Sequence, residues 1–227
     1  MQTLAQRLTE IRRQIEDAER QFKRIPGSVQ LLAASKSQSI ENITAAYELG
    51  QHHFGENYLR EALDKMILLK DLPICWHFIG HIQSNKTSEI AGHFSWVHSV
   101  DRYKIAKRLS DQRPDNFKPL NICIQVNLDN EQSKGGVSPH ALPELAQQIA
   151  ELPRLHLRGL MLIPAPRDDL AGQKDIFHRL REHFERLVAQ DITLDTLSMG
   201  MTGDFEAAIA EGATIIRIGT GIFGERR

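Results

Sequence analysis

The sequence lacks several features that would place it quickly in a class of proteins. Its 28 basic and 29 acidic residues nearly cancel, so no general attraction to nucleic acid or an anionic membrane is expected. Its only cysteines, Cys75 and Cys123, lie in apolar runs, which predicts buried free thiols in a reducing compartment. The N-terminal segment lacks the apolar core of a signal peptide, and no run approaches the ~20 apolar residues of a membrane span. We therefore expect a cytoplasmic protein.

What the sequence does contain is a regular alternation of short apolar runs and amphipathic stretches. Apolar residues spaced three and four apart predict a first helix over residues 3–24. Eight strands are then predicted, with helical stretches between them: 29–35, 52–55, 74–80, 96–100, 120–128, 155–163, 196–199 and 214–218. Parallel strands need such crossovers, and eight units close a barrel. We predict one domain over residues 1–227, an α/β protein with a (β/α)8 TIM-type barrel and an extra N-terminal helix. The alternative is an open doubly wound sheet, but no G-x-G-x-x-G follows the first strand.

The active site of such a barrel lies at the C-terminal ends of its strands, which directs attention to Lys36. This lysine follows the apolar run 31–34 at the end of the first strand. Desolvation lowers the pKa of a lysine and frees its amine to attack a carbonyl. The alternative is a lysine that merely reaches solvent at a strand end.

Two glycine-rich loops follow the seventh and eighth strands, where barrels commonly bind phosphate. The first carries Ser198, Gly200 and Thr202, and the second carries Gly219 and Thr220. Glycine lets backbone amides approach an anion, and the hydroxyls add donors. We therefore predict a phosphate site, although the glycines alone could serve only to allow tight turns.

Arg217 is the third candidate. Strand alternation puts Ile216 and Ile218 on one face of the last strand, and Arg217 and Gly219 on the other. A buried arginine needs a partner. Either a carboxylate, such as Asp204 or Glu206, or the ring nitrogen of a bound cofactor would supply one.

Taken together, the motifs resemble those of the pyridoxal phosphate homeostasis proteins, also called proline synthase co-transcribed homologues. The resemblance extends from residue 34 to the C-terminus. The matching segments are 34–36, 54–58, 76–80, 83–86, 97–101, 125–127, 159–161, 198–201 and 217–224. Two positions depart mildly from the family pattern. Ser37 stands where the family often has Thr, Thr202 stands where it usually has Ser, and both keep a hydroxyl.

The resemblance implies a fold type III protein, a barrel like the N-terminal domain of alanine racemase. It implies pyridoxal 5′-phosphate held as a Schiff base on Lys36, with a role in vitamin B6 and amino-acid homeostasis and no established reaction. The implied cofactor contacts are Lys36, Asn57, His77, Met161, Ser198, Met199, Arg217, Gly219 and Thr220. Among these, Ser198, Gly219 and Thr220 hold the phosphate, and Arg217 faces the pyridine nitrogen. Lys134 matches a family lysine that implies a secondary contact.

Three functions remain open at this point. A cofactor carrier is favoured over a racemase-like enzyme, because we expect no second domain after residue 227 to supply another catalytic base. A barrel acting on a sugar phosphate is the third. Candidate recipients of the cofactor are apo-enzymes that use it, and the expected state is a monomer or a weak homodimer. Six of the ten histidines lie between His52 and His98, but their spacing fits no metal motif, so we expect no metal site.

Overall fold

A closed barrel of eight parallel strands forms the centre of the molecule. The computed structural model describes residues 2–129 and 135–225. Each strand pairs in parallel with the next along the chain, and the last strand pairs with the first. The strands are β1 (Gln30–Ala34), β2 (His53–Glu56), β3 (Cys75–Phe78), β4 (Trp96–Val100), β5 (Leu120–Gln125), β6 (Leu155–Met161), β7 (Thr196–Ser198) and β8 (Ile215–Ile218). The predicted barrel is confirmed, and the open sheet is wrong because β1 and β8 are bonded to each other.

Helices surround the barrel and connect its strands. They are α1 (Leu4–Gln21), α2 (Ile40–Glu48), α3 (Leu59–Leu68), α4 (Thr87–His93), α5 (Tyr103–Gln112), α6 (Leu142–Ala150), α7 (Leu170–Val188), α8 (Phe205–Ala210) and α9 (Thr220–Phe223). The four-residue α9 was not predicted, since so short a helix shows no periodicity. Within the described residues, no helix combines the length and the apolar character needed to cross a membrane.

Strand alternation divides the side chains between the barrel interior and the outer layer under the helices. On β8, Ile216 and Ile218 belong to the outer apolar core, whereas Arg217 and Gly219 line a cavity at the barrel mouth. The predicted division of this strand is confirmed. On β1, Ala33 lies in the outer core. Because successive side chains of a strand point to opposite sides, Ala34 and, two residues later, Lys36 face the cavity.

The first helix packs against the seam where the barrel closes. Arg7 Nε donates to the Ile222 carbonyl at 2.7 Å, and Arg24 Nη1 donates to the Ile209 carbonyl at 2.9 Å. The buried Glu19 accepts hydrogen bonds from the amides of Gly27 and Val29 at 2.9 and 2.8 Å. Helix α1 and the turn after it therefore hold α8, α9 and the start of β1 in place, and with them the loop that begins at Gly219.

Candidate functional site

A cavity of about 320 Å³ opens at the C-terminal ends of the strands. Its size is in the usual range for sites that bind small molecules. It brings together six residues predicted from the sequence: Lys36, Asn57, Thr202, Arg217, Gly219 and Thr220. These residues come from the ends of β1, β2, β7 and β8, so the barrel topology alone makes them neighbours.

The turn that carries Lys36 is bonded on both sides of the lysine. Ser35 Oγ donates to Glu56 Oε1 at 2.6 Å, and the Ser35 carbonyl accepts from Lys65 Nζ at 2.7 Å. The Ser37 amide donates to Glu61 Oε1 at 2.6 Å. Ser37 has a φ of 61°, a left-handed conformation that a serine seldom adopts unless its surroundings enforce it. The turn therefore fixes the direction in which Lys36 leaves the strand.

A buried ion-pair network supports this turn from behind. Lys65 Nζ lies 2.8 Å from Glu56 Oε1 and 2.6 Å from Glu61 Oε1, and the side chains of Lys65 and Glu56 are 6% and 0% exposed. Burial raises the pKa of Glu56, while hydrogen bonds from Lys65 and Ser35 oppose that shift. Sequence reasoning missed this network, because charged side chains such as Lys65 on α3 and Glu56 at the end of β2 are normally expected to face water.

The two glycine-rich loops meet at the edge of the cavity. Thr202 Oγ1 and Thr220 Oγ1 lie 3.2 Å apart. Gly200 has a φ of +96°, and a Cβ there would come within 2.7 Å of the Ala208 side chain. At the start of α9 the amides of Ile222 and Phe223 donate to the Gly219 carbonyl, whereas those of Thr220 and Gly221 have no backbone acceptor among the described residues. Hydroxyls and amide donors thus converge where the sequence predicted a phosphate.

Arg217 forms the charged floor of the cavity. It is 5% exposed, and it donates from Nη1 to Ser198 Oγ and from Nη2 to the Leu162 carbonyl, each at 2.8 Å. These neutral acceptors take the place of a direct carboxylate partner. Desolvation lowers the pKa of Arg217 to about 10, with Asp204 opposing the shift, so the guanidinium remains charged at neutral pH.

A row of three imidazoles, fully buried at His98 and His77 and half-buried at His53, continues from Ser198 toward the other end of the barrel. His98 Nδ1 lies 2.8 Å from Ser198 Oγ, His77 Nδ1 lies 2.9 Å from His98 Nε2, and His53 Nδ1 lies 3.0 Å from His77 Nε2. Burial lowers the pKa of His98 to about 3, with a further contribution from Arg217. Burial also lowers the pKa of His77 well below 6.5, with contributions from its two histidine neighbours. Both rings are therefore neutral at physiological pH.

The remaining predicted residues are not all at the cavity. Ser198 is fully buried between Arg217 and His98, and Met161 packs inside the barrel. His77 lies deeper still, in the imidazole row. Met199 belongs to the outer core, and its amide donates to the Ile215 carbonyl, so its side chain points away from the mouth. Lys134 lies outside the described residues.

An unsatisfied oxygen of Asn57 indicates that the cavity suits a ligand. Its Oδ1 is buried and has no hydrogen-bond partner among the described residues. Gly80 permits this arrangement, because a Cβ there would overlap the Asn57 carbonyl oxygen at 2.0 Å. An unsatisfied buried acceptor beside Lys36 and Arg217 suits a polar ligand with donors of its own.

Comparison with protein families places the chain clearly. Residues 7–227 match the family model described as alanine racemase, N-terminal domain. A pyridoxal phosphate homeostasis protein from Pseudomonas aeruginosa is 53% identical over 226 residues, which cover 100% of this chain and 97% of that protein. A protein of the same name from Escherichia coli K12 is 45% identical over 229 residues, covering 100% of this chain and 98% of that protein.

Solved structures agree with these matches. PipY of Synechococcus elongatus with PLP bound is 38% identical, has a TM-score of 0.87, and is matched over 98% of this chain and 100% of PipY. Alanine racemase from Corynebacterium glutamicum shares the fold alone, with 14% identity, a TM-score of 0.68, and coverage of 95% of this chain and 61% of that chain. The chain therefore belongs to the pyridoxal phosphate homeostasis protein family, which has the fold of the alanine racemase N-terminal domain.

Proposed function

We propose that this protein binds pyridoxal 5′-phosphate at the barrel mouth, covalently through Lys36, as a cytoplasmic carrier with little amino-acid turnover. The observation that carries the proposal is the convergence of Lys36, Asn57, Arg217, Gly219 and Thr220 on one cavity. The ligand named for the relatives and present in the PipY structure supports the same assignment here.

The residues at the cavity suit each chemical group of this cofactor, namely its aldehyde, its phosphate and its ring. When bound, pyridoxal phosphate supplies an aldehyde that condenses with an amine, and Lys36 provides that amine. We assign the phosphate to the hydroxyls of Thr202 and Thr220 and to the amides of Thr220 and Gly221 at the start of α9. Asn57 offers its unsatisfied carbonyl oxygen, and Arg217 offers a fixed guanidinium for the ring nitrogen.

For Ser198 we propose a role that differs from the one implied by the family resemblance. Its hydroxyl is bonded to Arg217 and His98 in the layer beneath the cavity. We propose that Ser198 chiefly orients Arg217, while the threonine pair and the backbone amides carry the phosphate. The side chain of Met199 faces the outer core, so a contact with the cofactor would come from its backbone.

Chemical trapping tests the attachment to Lys36. Purified protein should absorb visible light characteristic of lysine-bound pyridoxal phosphate, and after borohydride reduction the label should map to the peptide containing Lys36. Lys36→Ala should lose the colour, whereas Lys70→Ala, at an exposed lysine after α3, should keep it. A reduced adduct on another lysine, together with full colour in Lys36→Ala, would overturn the assignment.

The carrier role requires a recipient, and we propose apo-enzymes that depend on the same cofactor. Loaded protein mixed with such an apo-enzyme should restore its activity faster than spontaneous release allows. Free cofactor at the concentration released in buffer is the control. Equal rates in both mixtures would show that the protein stores pyridoxal phosphate without delivering it.

A further inference from the structure

A second group of chemically active side chains lies at the opposite end of the barrel. His53 begins β2 and Cys75 begins β3, and the two residues pair in register. His77 follows two residues after Cys75, on the same side of the strand. All three lie inside the barrel near its N-terminal ends, far along the imidazole row from Arg217.

The spacing of their ligand atoms resembles that of a metal site. His77 Nε2 lies 3.0 Å from His53 Nδ1 and 3.6 Å from Cys75 Sγ, and the three atoms lie within 4.8 Å of one another. A tetrahedral zinc ion with ordinary bond lengths places two nitrogens about 3.3 Å apart, and a nitrogen and a sulfur about 3.6 Å apart. Two of the three separations therefore already agree to within a few tenths of an ångström.

We propose that His53, Cys75 and His77 bind a divalent transition-metal ion of the zinc class. Two imidazoles and one thiolate are the donors such ions prefer over magnesium or calcium. His53 and Cys75 are half-buried, which leaves access from the base of the barrel, while His77 is fully buried. Three protein ligands leave the fourth tetrahedral position open to water.

The surroundings of His77 are those of a supported metal ligand. With Nε2 on the ion, its proton lies on Nδ1, which donates to His98 Nε2 at 2.9 Å. Ligating histidines are commonly held in this way through their second nitrogen. The His77 ring also stacks on Trp96, with centroids 5.5 Å apart and an interplanar angle of 10°, so its orientation is fixed before any ion arrives.

Metal ligands bind in their deprotonated forms, so an ion at this site would coordinate the neutral imidazoles of His53 and His77 and the thiolate of Cys75, and its binding would release the thiol proton. The nearby Arg158, above the Trp96 ring, is neutralised by Asp195 at 2.6 Å.

The linear sequence could not show this site. The three residues belong to two strands, and their spacing along the chain matches no metal motif. Only the register of β2 against β3 brings His53 opposite Cys75. The expectation of no metal site considered only the spacing of histidines along the chain, which carries no information about contacts between strands.

Cobalt titration of the full chain, reduced and freed of metal with a chelator, tests the proposal. Difference spectra should show the thiolate-to-cobalt charge-transfer absorption and the d–d bands of a tetrahedral site, saturating at one ion per chain. Zinc should abolish both signals. Zinc should also protect Cys75 from alkylation, as measured by mass spectrometry on the Cys75 peptide.

Matched variants make the test specific. Cys75→Ser should lose the charge-transfer band, and His53→Gln should weaken zinc binding at least tenfold, since even outer-shell losses cost about that much. His52→Gln, at the exposed neighbouring position, should bind as the parent does. Circular dichroism identifies any misfolded variant, and the half-buried His53→Gln carries the test if Cys75→Ser does not fold. The proposal fails if no cobalt band forms, if the band survives Cys75→Ser, or if His52→Gln and His53→Gln weaken binding equally.

Discussion

Ser198 Oγ lies 2.8 Å from His98 Nδ1, and the same oxygen accepts a hydrogen bond from Arg217 Nη1, also at 2.8 Å. This contact joins the cavity floor to the imidazole row of His98, His77 and His53. The barrel interior therefore contains a continuous hydrogen-bonded path from its mouth toward its base. Apolar residues such as Leu32, Met161 and Cys123 surround that path. The links from Arg217 through Ser198 and His98 to His77 are buried, so each of these should matter for stability.

Replacing Ser198 with alanine should destabilise the fold by roughly 1.5–3 kcal/mol, because a buried charged donor loses its acceptor. Urea unfolding measures the change. Thr220→Val is the matched control, since it removes an exposed hydroxyl from the same site and should change stability by less than about 0.5 kcal/mol. Equal losses in the two variants would show that Ser198 does not anchor Arg217.

Stability should fall with acid in a way that depends on His98. Burial lowers the pKa of this ring from 6.5 to about 3 in the folded state. Between those values the unfolded chain binds one more proton than the folded chain, so the free energy of unfolding decreases as the pH falls. From pH 7 to pH 5 the His98 contribution is roughly 2 kcal/mol.

Chemical unfolding of the parent and His98→Gln across this pH range isolates that contribution. The free energy of unfolding of the parent minus that of His98→Gln should decrease by roughly 2 kcal/mol from pH 7 to pH 5. His52→Gln controls for an exposed histidine. Parallel pH profiles for the parent and His98→Gln would mean that His98 takes up a proton as readily in the folded state as in the unfolded state.

The network behind the Lys36 turn gives a third prediction. Lys65→Met leaves the buried Glu56 carboxylate without its cation, which should cost about 3–5 kcal/mol. The Glu56→Gln/Lys65→Met double variant should recover part of that loss. Lys70→Met, at an exposed lysine, should leave stability unchanged. Borohydride labelling at Lys36 should fall in Lys65→Met. Unchanged labelling would show that the turn that carries Lys36 keeps its conformation without Lys65.

Some of this architecture was predictable, and the reason is visible in individual residues. Strand alternation is a local property, so the sides taken by Arg217 and Gly219 followed from the residues beside them. The position of Lys36 followed from the rule that barrel sites lie at the ends of strands. Lys65 and the pairing of His53 with Cys75 depend on packing between separate elements. No local pattern encodes these contacts, and lysine on a helix is ordinarily solvated.

The threonine pair at the mouth should discriminate between phosphorylated and unphosphorylated ligands. Thr202→Val and Thr220→Val should each weaken pyridoxal phosphate binding by roughly 1.5–3 kcal/mol, the value of a hydrogen bond to a charged group. Binding of pyridoxal should change much less. Fluorescence or absorbance titration of both ligands provides the comparison. A similar loss for the two ligands would place the phosphate away from these hydroxyls.

The final prediction concerns turnover of amino acids. Lys36 and Arg217 are the ionisable side chains among the described residues that line the cavity. Racemisation needs a base on each face of the substrate, and Arg217 cannot serve because its pKa of about 10 keeps it protonated at neutral pH. A guanidinium also has donors only, so in the proposed binding mode it keeps the neighbouring ring nitrogen unprotonated and weakens stabilisation of a substrate carbanion.

Loaded protein incubated with L-alanine in deuterated water should therefore exchange the α-proton very slowly and accumulate no D-alanine. Boiled protein sets the background rate, and Lys36→Ala identifies any exchange that depends on that amine. Rapid exchange with accumulation of D-alanine, abolished in Lys36→Ala, would show that a second base reaches the site and that the protein is a racemase.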